Sequence, residues 1–380
     1  MSAHPDTVRL HTGWRCDPDA LRQRSAPAIP AASHRWVRAH RAMGLALLAC
    51  CLLPATPSGA VTGQERAIAA GASLVGSPAP ALTVTTIDGQ VIDLGKLYGK
   101  QAVYLKFWAT WCVPCRQQMP HLKQTFASAG KDLTVIAVNA GLDDPIEDVR
   151  AYRRELGLTM PIVRDDGRLA AAFKLRVTPQ HIIIGRDGRI VYVGHLADAR
   201  VDEALRIARS LAPMAAAGRA GAQSSTGSAG PKVGDLLPDV SVQTLTGATV
   251  HARDLTDRRP TVLIFMSAFC ESYLATSRPQ RAADCRAARE QVEGLAADNH
   301  VRFIGIASGL WTTKEELAEY QSEHRIEVPL SLDESGHVFR TFNVRDVPTA
   351  IVADADGRVV SRIDGTDRGL PEALQALLHH

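Results

Sequence analysis

The chain carries one pattern twice, and that duplication limits the possible folds more than composition does. Residues 75–112 lie over residues 233–270 without a gap at an offset of 158. Gly76 falls on Gly234, Pro80 on Pro238, Gly89 on Gly247, Leu97 on Leu255, Phe107 on Phe265 and Cys112 on Cys270. A second block matches at an offset of 169: Phe173 on Phe342, Val177-Thr178-Pro179 on Asp346-Val347-Pro348, and Asp187-Gly188-Arg189 on Asp356-Gly357-Arg358. The second copy therefore holds eleven extra residues between its cysteine and its proline. Each copy runs to roughly 150 residues, enough to bury a core of its own. The expected domains are residues 72–212 and 232–380, joined across 213–231, where MAAAGRAGAQSSTGSAGP is small, polar and without apolar period, as in a flexible linker.

Within each copy, strand-like and helix-like stretches alternate. AVYLKFW (102–108), LTVIAVN (133–139), HIII (181–184) and RIVYV (189–193) read as strands, and EDVRAYRREL (147–156) as an amphipathic helix. The second copy repeats the series with TVLIFM (261–266), VRFIGIA (301–307), TKEELAEYQSEH (313–324), AIVA (350–353) and RVVSRI (358–363). A strand–helix–strand unit closed by a hairpin predicts an α/β fold, with a small mixed sheet flanked by helices.

Residues 1–60 read as a leader. The uncharged run AMGLALLACCLLPA follows HRWVRAHR and precedes Ser58-Gly59-Ala60, the order of a secretory signal and its cleavage site. At fourteen residues the run is shorter than the roughly 20 of a transmembrane span. Two variations stay open: translation starting nearer the run, for instance at Val37, and lipidation at Cys50 in Leu47-Leu48-Ala49-Cys50, which would tether the product. Periplasm or cell envelope is the expected location. The leader holds seven arginines against three aspartates, so the net charge of +3 leaves the remainder near neutral, without the basic surface of a nucleic-acid binder. Export also leaves four cysteines, Cys112, Cys115, Cys270 and Cys285, an even set in an oxidising compartment.

Trp111-Cys112-Val113-Pro114-Cys115 follows a strand and should open a helix. Cysteines at i and i+3 on a first turn face the same way, and the unsatisfied N–H groups there favour thiolate at the first of them. Cys112 is thus the expected nucleophile and Cys115 the resolving thiol. A zinc site would need a second ligand pair, and none stands at ligand spacing in this copy. With no haem-attachment motif or nucleotide loop either, neither cofactor nor metal is expected.

On the lead-in VGSPAPALTVTTIDGQVIDL, the motif FWATWCVPCRQQMP and the pair Thr178-Pro179, residues 72–212 resemble the TlpA/ResA group of exported thioredoxin-fold disulfide reductases. The resemblance implies two tandem thioredoxin-like domains, the second divergent. It also implies a cis-proline at Pro179, a helix bend at Pro120, and substrate contacts from Trp111, Thr178 and Pro179. Such a proline leaves the preceding backbone edge free to pair with an extended substrate segment. Expected partners are proteins carrying disulfides, apocytochromes of cytochrome c maturation and copper-site proteins among them, with a membrane thiol donor supplying electrons. A chaperone-like module without net redox turnover is the rival class. Lys106 stands where thioredoxins carry a buried aspartate, and a charged lysine cannot accept the proton of Cys115. His181 is open to two readings, a substrate contact or an ordinary strand histidine.

In the second copy Cys270 takes the nucleophile's place, Phe269 that of Trp111 and Tyr273 that of Cys115, while Val347-Pro348 repeats the proline motif. Three readings stay open: a docking domain stapled by Cys270–Cys285, a redox relay through that pair, and a peroxidase-type thiolate at Cys270 with Ser267 three residues ahead. A disulfide across ESYLATSRPQRAAD requires the chain to turn back, which Arg278-Pro279 allows by interrupting the helix begun at Cys270.

Overall fold

In the first copy the helix Gly63–Gly71 (α1) leads to a hairpin of Thr83–Thr85 (β1) and Val91–Asp93 (β2), then to the short helix Leu94–Leu97 (α2). Ala102–Trp108 (β3) follows and is buried along its whole length. A mid-sheet strand packed on both faces reads as a continuous apolar run, and the burial of AVYLKFW is of that kind. After β3 come Val113–Gln117 (α3), Met119–Ala127 (α4), Leu133–Asn139 (β4), Ile146–Leu156 (α5), Ile162–Arg164 (β5), Arg168–Ala172 (α6), Gln180–Ile184 (β6), Ile190–Gly194 (β7) and Ala199–Ser210 (α7). The sheet runs β5-β4-β3-β6-β7, with β3 parallel to β4 and antiparallel to β6.

This computed structural model describes residues 61–213, 230–296, 300–365 and 369–373. The expected leader and nearly all of the expected linker lie outside those residues.

The second copy repeats the plan with Ser241–Gln243 (β8), Thr249–His251 (β9), Thr261–Met266 (β10), Cys270–Ser277 (α8), Pro279–Ala296 (α9), Arg302–Ser308 (β11), Lys314–Glu323 (α10), Leu330–Asp333 (β12), His337–Thr341 (α11), Thr349–Ala353 (β13) and Val359–Asp364 (β14). Its sheet has the same order, β12-β11-β10-β13-β14. The chain thus holds two mixed sheets of five strands in tandem. The strand registers also locate the extra residues: the offset of 158 between Phe107 and Phe265 becomes 168 between Val138 and Ile306. Most of the insertion therefore lies in the α8–α9 helical hairpin.

The structure adds elements that periodicity does not mark. The outer strands β5 and β12 are too short to show an alternation of their own. Helix α1 packs on β7 so closely that a Cβ on Gly63 or Gly71 would meet the His195 ring or the Val193 side chain at 2.7 and 2.4 Å. Packing of the first domain thus reaches back before residue 72.

Candidate active site

Cys112 stands at the junction of β3 and α3. Its N–H closes a turn onto the Ala109 carbonyl at 3.2 Å, its backbone is extended (φ −81°, ψ 103°), and its sulfur caps the helix by accepting the Cys115 N–H at 3.2 Å. The two sulfurs are joined, with the Cα atoms 5.2 Å apart. Sequence reasoning put these cysteines on one helical turn, and the structure places them there. Pro120 has no N–H to offer the Arg116 carbonyl. The helix is accordingly interrupted at Gln118 (φ −94°, ψ 0°) and restarts as α4.

At that interruption the Gln118 carbonyl accepts both the Leu122 N–H, at 3.3 Å, and Lys106 Nζ, at 3.1 Å. The Gln118 side chain spans two neighbours: its Nε2 donates to the His195 carbonyl at 3.1 Å, and its Oε1 lies 2.9 Å from His181 Nε2. His181 Nε2 faces only acceptors there, so it carries the proton, and Nδ1 then accepts from the Tyr104 hydroxyl at 2.7 Å. Burial, reinforced by Lys106, holds the His181 pKa well below its usual value, in agreement with a neutral ring. His195 Nδ1 reaches the Pro179 carbonyl at 2.7 Å, which ties the network to the proline loop. His181 is fully buried and is held in this polar network as a strand histidine.

Lys106, also fully buried, is the departure that matters most for proton chemistry. Burial strips water from its ammonium and lowers its pKa to about 7. A lysine at this site is therefore free to be neutral near neutral pH, which the sequence alone did not suggest. In an unfolded chain a lysine stays charged to about pH 10.4. Between these values the unfolded state binds more protons, so stability should rise with pH by at most about 1.4 kcal/mol per unit from this group. The variant Lys106→Met is expected to lack that contribution. Denaturant unfolding of both proteins from pH 7 to 10 checks it, and a stability difference that stays constant across the range would contradict it.

A profile described as the AhpC/TSA family matches residues 75–193, and one described as Redoxin matches residues 232–377. The chain is 32% identical over 119 residues to the thiol-disulfide oxidoreductase ResA of Bacillus thuringiensis, an alignment covering 31% of this chain and 67% of the relative. ResA of Halalkalibacterium halodurans is 33% identical over 136 residues, covering 35% of this chain and 76% of the relative. For ResA of Bacillus subtilis the figures are 30% over 152 residues, 40% and 80%. The chain belongs to the ResA family of thiol-disulfide oxidoreductases.

In the second domain of this oxidoreductase, Cys270 is joined to Cys285, with Cα atoms 6.2 Å apart. The turn that permits this is Arg278 (φ −144°, ψ 68°), between the end of α8 and Pro279, which opens α9. Cys270 is sealed from solvent, and Cys285 lies with its sulfur 3.9 Å from the Val347 carbonyl. Both Thr178-Pro179 and Val347-Pro348 are cis.

The first domain's site does not face open solvent. Trp111, Cys112, Cys115, Thr178 and Pro179 are all buried, with only 1% of Cys112 exposed, whereas neighbouring Val113 is half exposed. The cover comes from the second domain. Phe269 and Tyr273 pack on the Trp111 ring at 5.5 and 6.1 Å, and the Tyr273 hydroxyl faces the Val113 N–H. Trp311 stacks on Tyr273 at 5.9 Å and meets the His195 ring edge-on at 5.9 Å. Arg278, at the helical break, bonds to Thr110 Oγ1 at 2.5 Å, to Asp144 and Asp148 at 3.2 Å each, and to the Asp143 carbonyl. Asp144 is fully buried and is further held by the Thr110 and Asn139 side chains. Burial raises its pKa despite these bonds and the nearby Arg278. Sequence reasoning did not single out Arg278 as a contact, nor Trp311, Asp143 or Asp144, because their role depends on the other domain.

Proposed function

We propose that this oxidoreductase works in the cell envelope as a protein-disulfide reductase, with its chemistry confined to the first domain. The placement of Cys112 carries the reading: its sulfur caps a helix and accepts the Cys115 N–H, a setting that favours the thiolate. In the reduced protein the Cys112 thiolate attacks a substrate disulfide, a mixed disulfide forms and one substrate sulfur leaves as a thiol. Cys115 then attacks Cys112, releasing the second substrate thiol and re-forming the Cys112–Cys115 bond. Two electrons pass to the substrate, and a membrane thiol donor restores them. Trp111, next to Cys112 in the chain, and the cis pair Thr178-Pro179 are read as positioning the substrate segment. Proteins with buried or unfolded cysteine pairs, such as apocytochromes and copper-site proteins, fit this chemistry.

The Cys270–Cys285 pair is read as a staple, because it ties α8 to α9 across the inserted turn and Tyr273 stands where the first domain has its resolving cysteine. Residues 1–60 are read as the export signal. The reduction potential of Cys112–Cys115 tests the direction of electron flow. A value near about −270 mV, as in thioredoxin, is expected, and one near about −120 mV would make the protein an oxidant instead.

A further inference from the structure

The two domains meet through the faces that carry their cysteines and prolines, and the contacts are reciprocal. After β4, Asp143 has a left-handed backbone (φ 52°) and gives its N–H to the carbonyl of Arg345, three residues before Pro348, at 2.8 Å. After β11, Trp311 occupies the same place with φ 62° and gives its N–H to the carbonyl of Arg176, three residues before Pro179, at 2.8 Å. The side chains continue the exchange. Asp143 Oδ1 accepts the Val347 N–H at 2.9 Å, and Trp311 Nε1 donates to Thr178 Oγ1 at 3.1 Å. A left-handed backbone is uncommon for aspartate and strained for a bulky tryptophan, and it persists where the surroundings fix it. Here what fixes it in each case is the proline loop of the other domain.

We infer that the second domain is a built-in occupant of the first domain's substrate edge, a cap that must lift before Cys112 can meet an external sulfur. Trp311 fills the edge beside Thr178, Phe269 and Tyr273 cover Trp111, and Arg278 latches the cap to the Thr110–Asp144 corner. The seam is not closed along its whole length. A cleft of about 320 Å³ lies along it, bordered by Gly141, Asp165 and Arg176 of one domain and Gly309, Asp333 and Arg345 of the other. Apolar side chains of both domains, Leu142, Leu175, Leu310 and Phe339 among them, share its lining. The inference concerns access to the pair and holds for either direction of electron flow.

Two variants of the full chain test it. Trp311→Ala removes the ring and the indole donor, and Arg278→Ala removes the latch; both lie outside the first domain's cysteine site. A timed dithiothreitol pulse, followed by alkylation and peptide mapping, reads the two cysteine pairs separately. Dithiothreitol gives up two electrons as it closes to its cyclic disulfide, and the opened pair takes those electrons and two protons. Each variant is expected to speed opening of Cys112–Cys115 about tenfold or more, as for loss of an interface anchor, with Cys270–Cys285 opening as slowly as in wild type. Wild-type rates at Cys112–Cys115 in both variants would overturn the cap. Equal acceleration of both pairs would overturn it too, because it would mark general loosening of the fold. Failure of the reductase reading would appear elsewhere, as an oxidising potential with the capped rates intact.

Discussion

Serine at Cys112 is expected to reduce insulin turnover to the rate of dithiothreitol alone. The attacking sulfur is the one part of the site that no neighbour replaces: Cys270 is sealed and bonded to Cys285, and Cys115 is fully buried behind Cys112. Serine at Cys115 should slow steady turnover as well, by a different route, since the mixed disulfide then has no internal thiol to resolve it and waits for external dithiothreitol. Turbidity of insulin under dithiothreitol measures both. Wild-type rates in either variant would remove the enzyme reading and favour a binding module without redox turnover.

The second large effect is on stability. Replacing Cys270 and Cys285 together with serine should lower the unfolding free energy by on the order of 3 kcal/mol, the loop-closure contribution of a bridge of this span. The loss should not be total, because Arg289 ties α9 to Glu271 of α8 at 2.8 Å, and Tyr320 reaches the same carboxylate at 2.5 Å. Loosening of α8 should also loosen the cap, since that helix carries Tyr273 and ends at Arg278. Urea unfolding followed by circular dichroism checks the prediction, and an unchanged midpoint would contradict it.

Much of this was legible in the chain. The repeat offsets, the Cys112–Cys115 spacing and the two proline motifs are local signals, and the central strands Ala102–Trp108 and Thr261–Met266 stand out as apolar runs. The break at Arg278-Pro279 was readable for the same reason, because proline excludes a helical hydrogen bond wherever it sits. What was not legible depends on groups that meet only in three dimensions. Tyr273 is visible in the sequence as the loss of a second cysteine, but its packing on Trp111 requires the two domains to face each other. Asp143 and Trp311 look like ordinary loop residues until each is seen at the other domain's proline loop. Lys106 reads as a fixed positive charge, and its shift to about pH 7 comes entirely from burial that no sequence pattern reports.

The central claim is that Cys112 is the sulfur that meets the substrate. Capture of a mixed disulfide by the Cys115→Ser variant tests it most directly, using reduced variant and an oxidised peptide containing one disulfide. The expected product is a one-to-one adduct that dithiothreitol reverses and that peptide mapping places on Cys112. An adduct at Cys270 or Cys285, or none under conditions where wild-type protein reduces the peptide, would contradict it.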